Sequence, residues 1–128
     1  MRYEASSYKD KARAKPDDFM YIAINEEDQV CAALRLLPYE GFLFLRSVLT
    51  APQHRGSGIA THLIQHAIQN HKGPIYTLPT PQAISLYHRL GFKPVSTQFI
   101  PNPLLASYRR FRQPQTGCSV MVINLPLR

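Results

Sequence analysis

The chain has 128 residues, 45% hydrophobic and 18% charged, which gives room for one domain with its own core and too little for two comfortable ones. That balance excludes a disordered chain, and no run of about 18 apolar residues is present to cross a membrane as a helix. The formal net charge of +7 points to a polyanionic partner (nucleic acid, an anionic membrane surface or a phosphorylated cofactor) without choosing among them.

Residues 1–18 (MRYEASSYKDKARAKPDD) are polar and basic. They lack the apolar stretch of a signal peptide, so a cytoplasmic protein is expected, and the segment reads as a variable one, a short helix or a loosely held arm. Phe19 to Asn25 is a β-branched and aromatic run, Glu26-Glu27-Asp28 a polar turn, and Gln29 to Leu37 a second run, a pattern that predicts a β-hairpin. Cys31 and Cys118 both sit in apolar strand-like runs and read as buried reduced thiols, with no metal role. Pro38-Tyr39-Glu40-Gly41 is a turn, and Phe42 to Thr50 (FLFLRSVLT) is too apolar for an edge strand facing water, so it is expected at the centre of a sheet.

From Ser57 the period changes. Ile59, Ala60, Leu63, Ile64, Ala67 and Ile68 fall at helical spacing, with Thr61, His62, Gln65, His66 and Gln69 on the other side, which predicts a helix packed on the sheet. His62 and His66 are four apart, yet no carboxylate or cysteine accompanies them, and a solvated face explains them better than a metal site. Gly73-Pro74 ends this helix and Ile75 to Leu78 is a short strand. Thr80-Pro81 then reads as cap and first-turn proline of a second helix that Gly91 closes. In residues 102–112, Leu104, Leu105, Tyr108 and Phe111 share one face and Arg109, Arg110 and Arg112 the other, which predicts a basic amphipathic helix. Cys118 to Leu125 gives a final strand. The whole is expected to be one mixed α/β sheet with helices on its faces.

Between the central strand and the first helix stands TAPQHRGSGIATHLI, Thr50 to Ile64. A helix N-terminus presents unpaired N–H groups and a partial positive charge, and glycines before it let an anion approach the backbone. Arg55, Gly56, Ser57, Gly58, Ile59 and Ala60 therefore read as a phosphate cradle, Arg55 adding a full charge. The Walker and dinucleotide-binding patterns do not fit, because Gly58 is followed by Ile59 and Ala60 rather than Lys and Ser or Thr, and the glycine spacing differs.

The string resembles the acyl-CoA pyrophosphate loop of the GNAT superfamily of N-acetyltransferases: Gln or Arg, two residues, Gly, one residue, then Gly or Ala, met here by Arg55, Gly58 and Ala60. AISLYHRLGF, Ala83 to Phe92, resembles the family's second string, and the order of elements is similar over residues 19–95. The resemblance implies a GNAT-like acyl-CoA N-acyltransferase fold, a central, mostly antiparallel sheet splayed at the cofactor site and flanked by helices. It implies acetyl-CoA as cosubstrate and an amine as acceptor, with the pantetheine arm along Val48, Leu49 and Thr50. Tyr87 matches the family's general-acid tyrosine, and a phenol of reference pKa about 10 suits protonation of a thiolate whose parent thiol lies near 8.5. Packing of Tyr87 on the buried helix face is the alternative role. Thr80 stands where many members have asparagine.

No Asp or Glu in FLFLRSVLT offers a general base; Glu40, Arg46 and Ser47 are the acceptor-side candidates, and His54 or a water relay is a further one. Residues 108–112 could read nucleic acid through aromatics between arginines, but Tyr108 and Phe111 share the apolar face, so these arginines suit selection of an acidic substrate as well. Two other classes stay open beside the enzyme: a non-catalytic acyl-CoA sensor or interaction module, and a nucleic-acid-binding protein. An edge strand near the C-terminus leaves a homodimer open.

Overall fold

The strands of the structure, a computed structural model describing residues 1–6, 18–111 and 120–125, are β1 (Arg2–Ser6), β2 (Phe19–Ile24), β3 (Val30–Tyr39), β4 (Phe42–Thr50), β5 (Ile75–Thr77), β6 (Lys93–Pro94) and β7 (Met121–Ile123). They form one sheet in the order β1-β2-β3-β4-β5-β7-β6. Every neighbouring pair is antiparallel except β4 and β5, which are joined by a crossover through helix α1 (Ile59–Gln69), as a parallel pair requires. Two further helices follow, α2 (Ile84–Arg89) and α3 (Asn102–Phe111).

The N-terminus corrects the sequence reading. Instead of a helix or arm, Arg2–Ser6 is an edge strand paired along its whole length with β2. Five residues are too few to show a period, and what orders them is tertiary: Tyr3 packs against the core and meets the His62 ring edge-on. The edge carries charge, with Arg2 paired to Glu4 at 3.0 Å and to Asp28 at 3.4 Å, a pattern that discourages strand addition.

The hairpin of β2 and β3 forms as expected, but β3 continues through Pro38. Pairing with β2 ends at Leu36, so the missing N–H of Pro38 costs no bond on that side. β4 lies at the middle of the sheet, and its first half, Phe42 to Leu45, is covered on both faces, which explains the apolar run there. Leu43 and Leu45 join α1 and α2 on one face; Phe42 and Phe44 join Tyr76, Leu104 and Tyr108 on the other. Fully buried side chains such as Leu34, Leu63 and Ile64 contribute about 1.5–3 kcal/mol each by leaving water. Cys31 is buried and unbonded to another cysteine; Cys118, Arg112 and the start of the expected last strand lie outside the described residues.

The predicted face of α1 is the buried one: Ile59, Leu63, Ile64 and Ala67. Its other side is drier than the sequence suggests, because β1 and β2 extend beneath it. His62 is exposed, but His66 is half-buried with its ring 5.8 Å from that of Tyr21. Just beyond the helix, His71 Nε2 lies 2.9 Å from the Tyr21 hydroxyl and its ring 4.9 Å from that of Phe19. Burial pushes the His71 pKa below its ordinary 6.5. The unfolded chain then binds more protons than the native one as pH falls below 6.5, so this contribution is complete above that value and lost below it. Denaturant midpoints measured between pH 8 and pH 5 should fall with acidity, and His71→Gln should flatten that slope.

Candidate functional site

β4 and β5 share only three pairs, Leu43–Ile75, Phe44–Tyr76 and Leu45–Thr77. β4 runs on to Thr50, while the chain after Thr77 reads Leu78-Pro79-Thr80-Pro81. β5 ends at Thr77, and the prolines at 79 and 81 keep the chain after it from continuing as a regular strand. The strands part, and the backbone of Arg46 to Thr50 is left without a strand on that side.

A bulge in β4 reinforces the parting. Ala33 faces Leu49 and Arg35 faces Arg46, so Ser47 and Val48 together oppose Leu34. Ser47 takes a left-handed φ of 60°, and such a bulge bends its strand and increases the local twist. No glycine or asparagine announces it, and sequence reading missed it.

At the far end of β4 a 3₁₀ turn, Pro52–His54, leads into the glycine loop. Gly56 and Gly58 have φ of 82° and 81°, the left-handed region that favours glycine. A Cβ at either would meet nothing within 4 Å, so the backbone there faces open space. The Ser57 hydroxyl donates to the His54 carbonyl, and Arg55 Nε donates to the Thr50 carbonyl at 3.4 Å, tying loop to strand. No side chain caps α1, which leaves its first-turn N–H groups available to an anion.

Tyr87 approaches from α2. It is 5% exposed, and Thr77, whose Oγ1 donates to the Leu45 carbonyl at 3.2 Å, acts on its phenol from β5. Burial pushes the phenol above its ordinary 10, and the Thr77 hydroxyl partly offsets this. The helix end fixes the ring. The Phe92 N–H donates to the Tyr87 carbonyl at 3.0 Å and the Gly91 N–H to that of His88 at 3.1 Å, with Gly91 at φ 101°. This is a Schellman motif, and the Tyr87 and Phe92 rings, 5.2 Å apart and edge-on, supply its apolar contact.

A groove of about 1260 Å³ runs through the parted strands. Of the residues singled out from sequence it is lined by Arg46, Ser47, Val48, Leu49, Thr50, Arg55, Gly56, Ala60, Thr80 and Tyr87. Ser57, Gly58 and Ile59 belong to the loop and helix start without lining it, and Ile59 is buried. Glu40, exposed at the β3–β4 turn, is not brought to the groove, nor is His54. Thr80 occupies the position before the 3₁₀ turn Pro81–Ala83, but its hydroxyl makes no capping bond; the expected continuous helix begins only at Ile84. Sequence reading missed Thr77, Gln82 and Ser107 in the lining; Thr77 alone carried a signal, a polar residue inside a short apolar strand. Among the described residues no Asp or Glu lines the groove.

On α3, Leu104 and Tyr108 are buried and Arg109 and Arg110 exposed, so the Tyr108 ring is not available to stack a base. Among the described residues no group of three His, Cys, Asp or Glu side chains could hold a metal ion, and no helix is long and apolar enough to cross a membrane.

A family model described as an acetyltransferase (GNAT) domain matches residues 16–94. No curated protein matches the chain in sequence. Among solved structures, an acetyltransferase of the GNAT family from Staphylococcus aureus Mu50 aligns with TM-score 0.59 and 18% identity over 85% of this chain and 68% of its own. Escherichia coli ElaA aligns with TM-score 0.64 and 16% identity over 88% and 72%. N-acetylglutamate synthase from Neisseria gonorrhoeae, solved with coenzyme A and N-acetyl-glutamate, aligns with TM-score 0.67 and 16% identity over 84% of this chain but only 26% of that one. At these identities the likeness is one of fold.

Proposed function

Since the chain belongs to the GNAT acetyltransferase family, we propose that it transfers an acetyl group from acetyl-CoA to a primary amine. The observation that carries this reading is the parting of β4 from β5, with an uncapped, glycine-opened helix start at one end and a buried phenol at the other. The residues fit the cosubstrate. The open backbone of Gly56 and the N–H groups at the start of α1 suit a pyrophosphate, and the Arg55 guanidinium adds charge. The bare edge at Val48 to Thr50 suits main-chain pairing with an amide-bearing arm, as in strand addition. Bound there, acetyl-CoA would supply an activated acyl thioester.

Tyr87 would hold a proton for the departing sulfur. Its raised pKa keeps it protonated through neutral pH, the state a general acid needs. Among the described residues no carboxylate or imidazole lines the groove, which suits an acceptor amine that arrives neutral or loses its proton to water. The pH profile of kcat/KM should therefore rise with pH up to the acceptor's own pKa, without an acid limb set by an enzyme carboxylate; a limb that stayed near pH 4–5 for acceptors of different pKa would mean a carboxylate base.

Calorimetric titration of the folded protein with acetyl-CoA and with free CoA tests the reading first. Micromolar binding is expected, followed by turnover of amines; absence of binding overturns it. The lack of a base also favours a second reading, a non-catalytic acyl-CoA sensor on the same fold, which predicts binding with no acetyl transfer to any amine.

A further inference from the structure

Arg35 on β3 and Arg46 on β4 are directly opposed across the strands, so both side chains leave the same face of the sheet. Like charges so placed repel. Arg35 has partners: Asp18 Oδ2 at 3.3 Å, with side-chain exposures of 15% and 3%, and the Ser47 hydroxyl at 3.3 Å. Arg46 is exposed, lines the groove, and has no carboxylate within ion-pair distance among the described residues. Among the described residues Arg46 is thus left without a carboxylate, and its charge lies beside a groove that no described Asp or Glu lines.

Its position says what that charge meets. Arg46 follows Leu45, the last residue of β4 paired with β5, whose carbonyl accepts from Thr77; Tyr87 and Arg46 both line the groove there. Arg46 therefore stands beside the proposed point of transfer. The glycine loop lies beyond Thr50, about 13 Å of strand away at roughly 3.3 Å per residue, so phosphates cradled there would be held by Arg55 and the backbone rather than by Arg46.

Resting on the activity proposed above, we infer that Arg46 selects an acceptor amine that also carries a carboxylate, an amino acid or similar amino carboxylate. A single guanidinium matches the single charge and planar fork of a carboxylate. A phosphate monoester, near −2 at neutral pH, asks for more donors than this corner supplies. Asp18 and Ser47 fix Arg35, and Arg35 in turn holds Arg46 off the sheet and toward the groove by repulsion.

The test is equilibrium binding to the full chain, with and without saturating CoA at low ionic strength. The probes are glycine, β-alanine, glutamate and lysine against their carboxamides, and phosphoethanolamine against ethanolamine. At least one amino carboxylate should bind roughly ten- to a hundredfold more tightly than its amide. Arg46→Gln should bring that ratio near one, and Arg46→Lys should restore part of it. Equal binding of acids and amides, an acid preference untouched by Arg46→Gln, or preference for the phosphate probe overturns the inference, whether or not acetyl transfer occurs. Selective, Arg46-dependent carboxylate binding with no transfer from acetyl-CoA upholds the anion site and overturns the proposed activity.

Discussion

Tyr87→Phe should lower kcat by about 10²–10⁴-fold, the range attributable to a positioned proton donor, while acetyl-CoA still binds. The substitution removes one oxygen and keeps the ring against Phe92, so the Schellman closure of α2 survives. Thr77 retains its bond to the Leu45 carbonyl, and the loss in stability should be no more than about 1 kcal/mol, since only the phenol oxygen is removed. A thermal melt beside the kinetics separates the two effects. Unchanged kcat in a folded variant would reduce Tyr87 to a core residue, the alternative its deep burial already makes concrete.

Gly58→Glu should weaken acetyl-CoA binding by about a hundredfold or more, through a negative charge set where phosphate is expected. Space is available, since a Cβ at Gly58 meets nothing within 4 Å. The backbone, at φ 81°, makes any side chain there cost about 1–2 kcal/mol. A carboxylate at a helix N-terminus favours the helix dipole, so loss of α1 would not be the reason for lost binding. Gly58→Asn, neutral and tolerant of left-handed backbone, is the control for strain and should keep most of the affinity. If Gly58→Glu bound as tightly as the parent, the phosphates would have to lie elsewhere.

The sequence disclosed what repeats or what breaks a repeat. The apolar run that opens β4, the helical spacing of Ile59, Leu63, Ile64 and Ala67, and the left-handed glycines at 56, 58 and 91 all carry their structure locally, and the family resemblance rests on two of those glycines, Gly58 and Gly91, with Arg55, Ala60 and the rest of AISLYHRLGF. The bulge at Ser47 was illegible, because its left-handed backbone is imposed by the pairing of β4 with a distant strand. β1 was illegible for a related reason: five residues order only against α1 and β2. Thr77 and Ser107 reach the groove by topology, one from a strand and one from α3, and no local spacing places them beside Tyr87. Arg46 could be named from its place in FLFLRSVLT, but its opposition to Arg35 is a matter of register, which a strand's own sequence does not contain.

Pro79 and Pro81 have a consequence for kinetics. A sheet with an unpaired edge would ordinarily close on itself when empty, and a ligand would first have to pry it open. Here β5 stops at Thr77, and the prolines at 79 and 81 keep the chain beyond it from running on as a strand beside β4. The free protein should therefore already hold the receptive shape, and the observed association rate should climb in proportion to acetyl-CoA concentration, with no plateau from a preceding opening step.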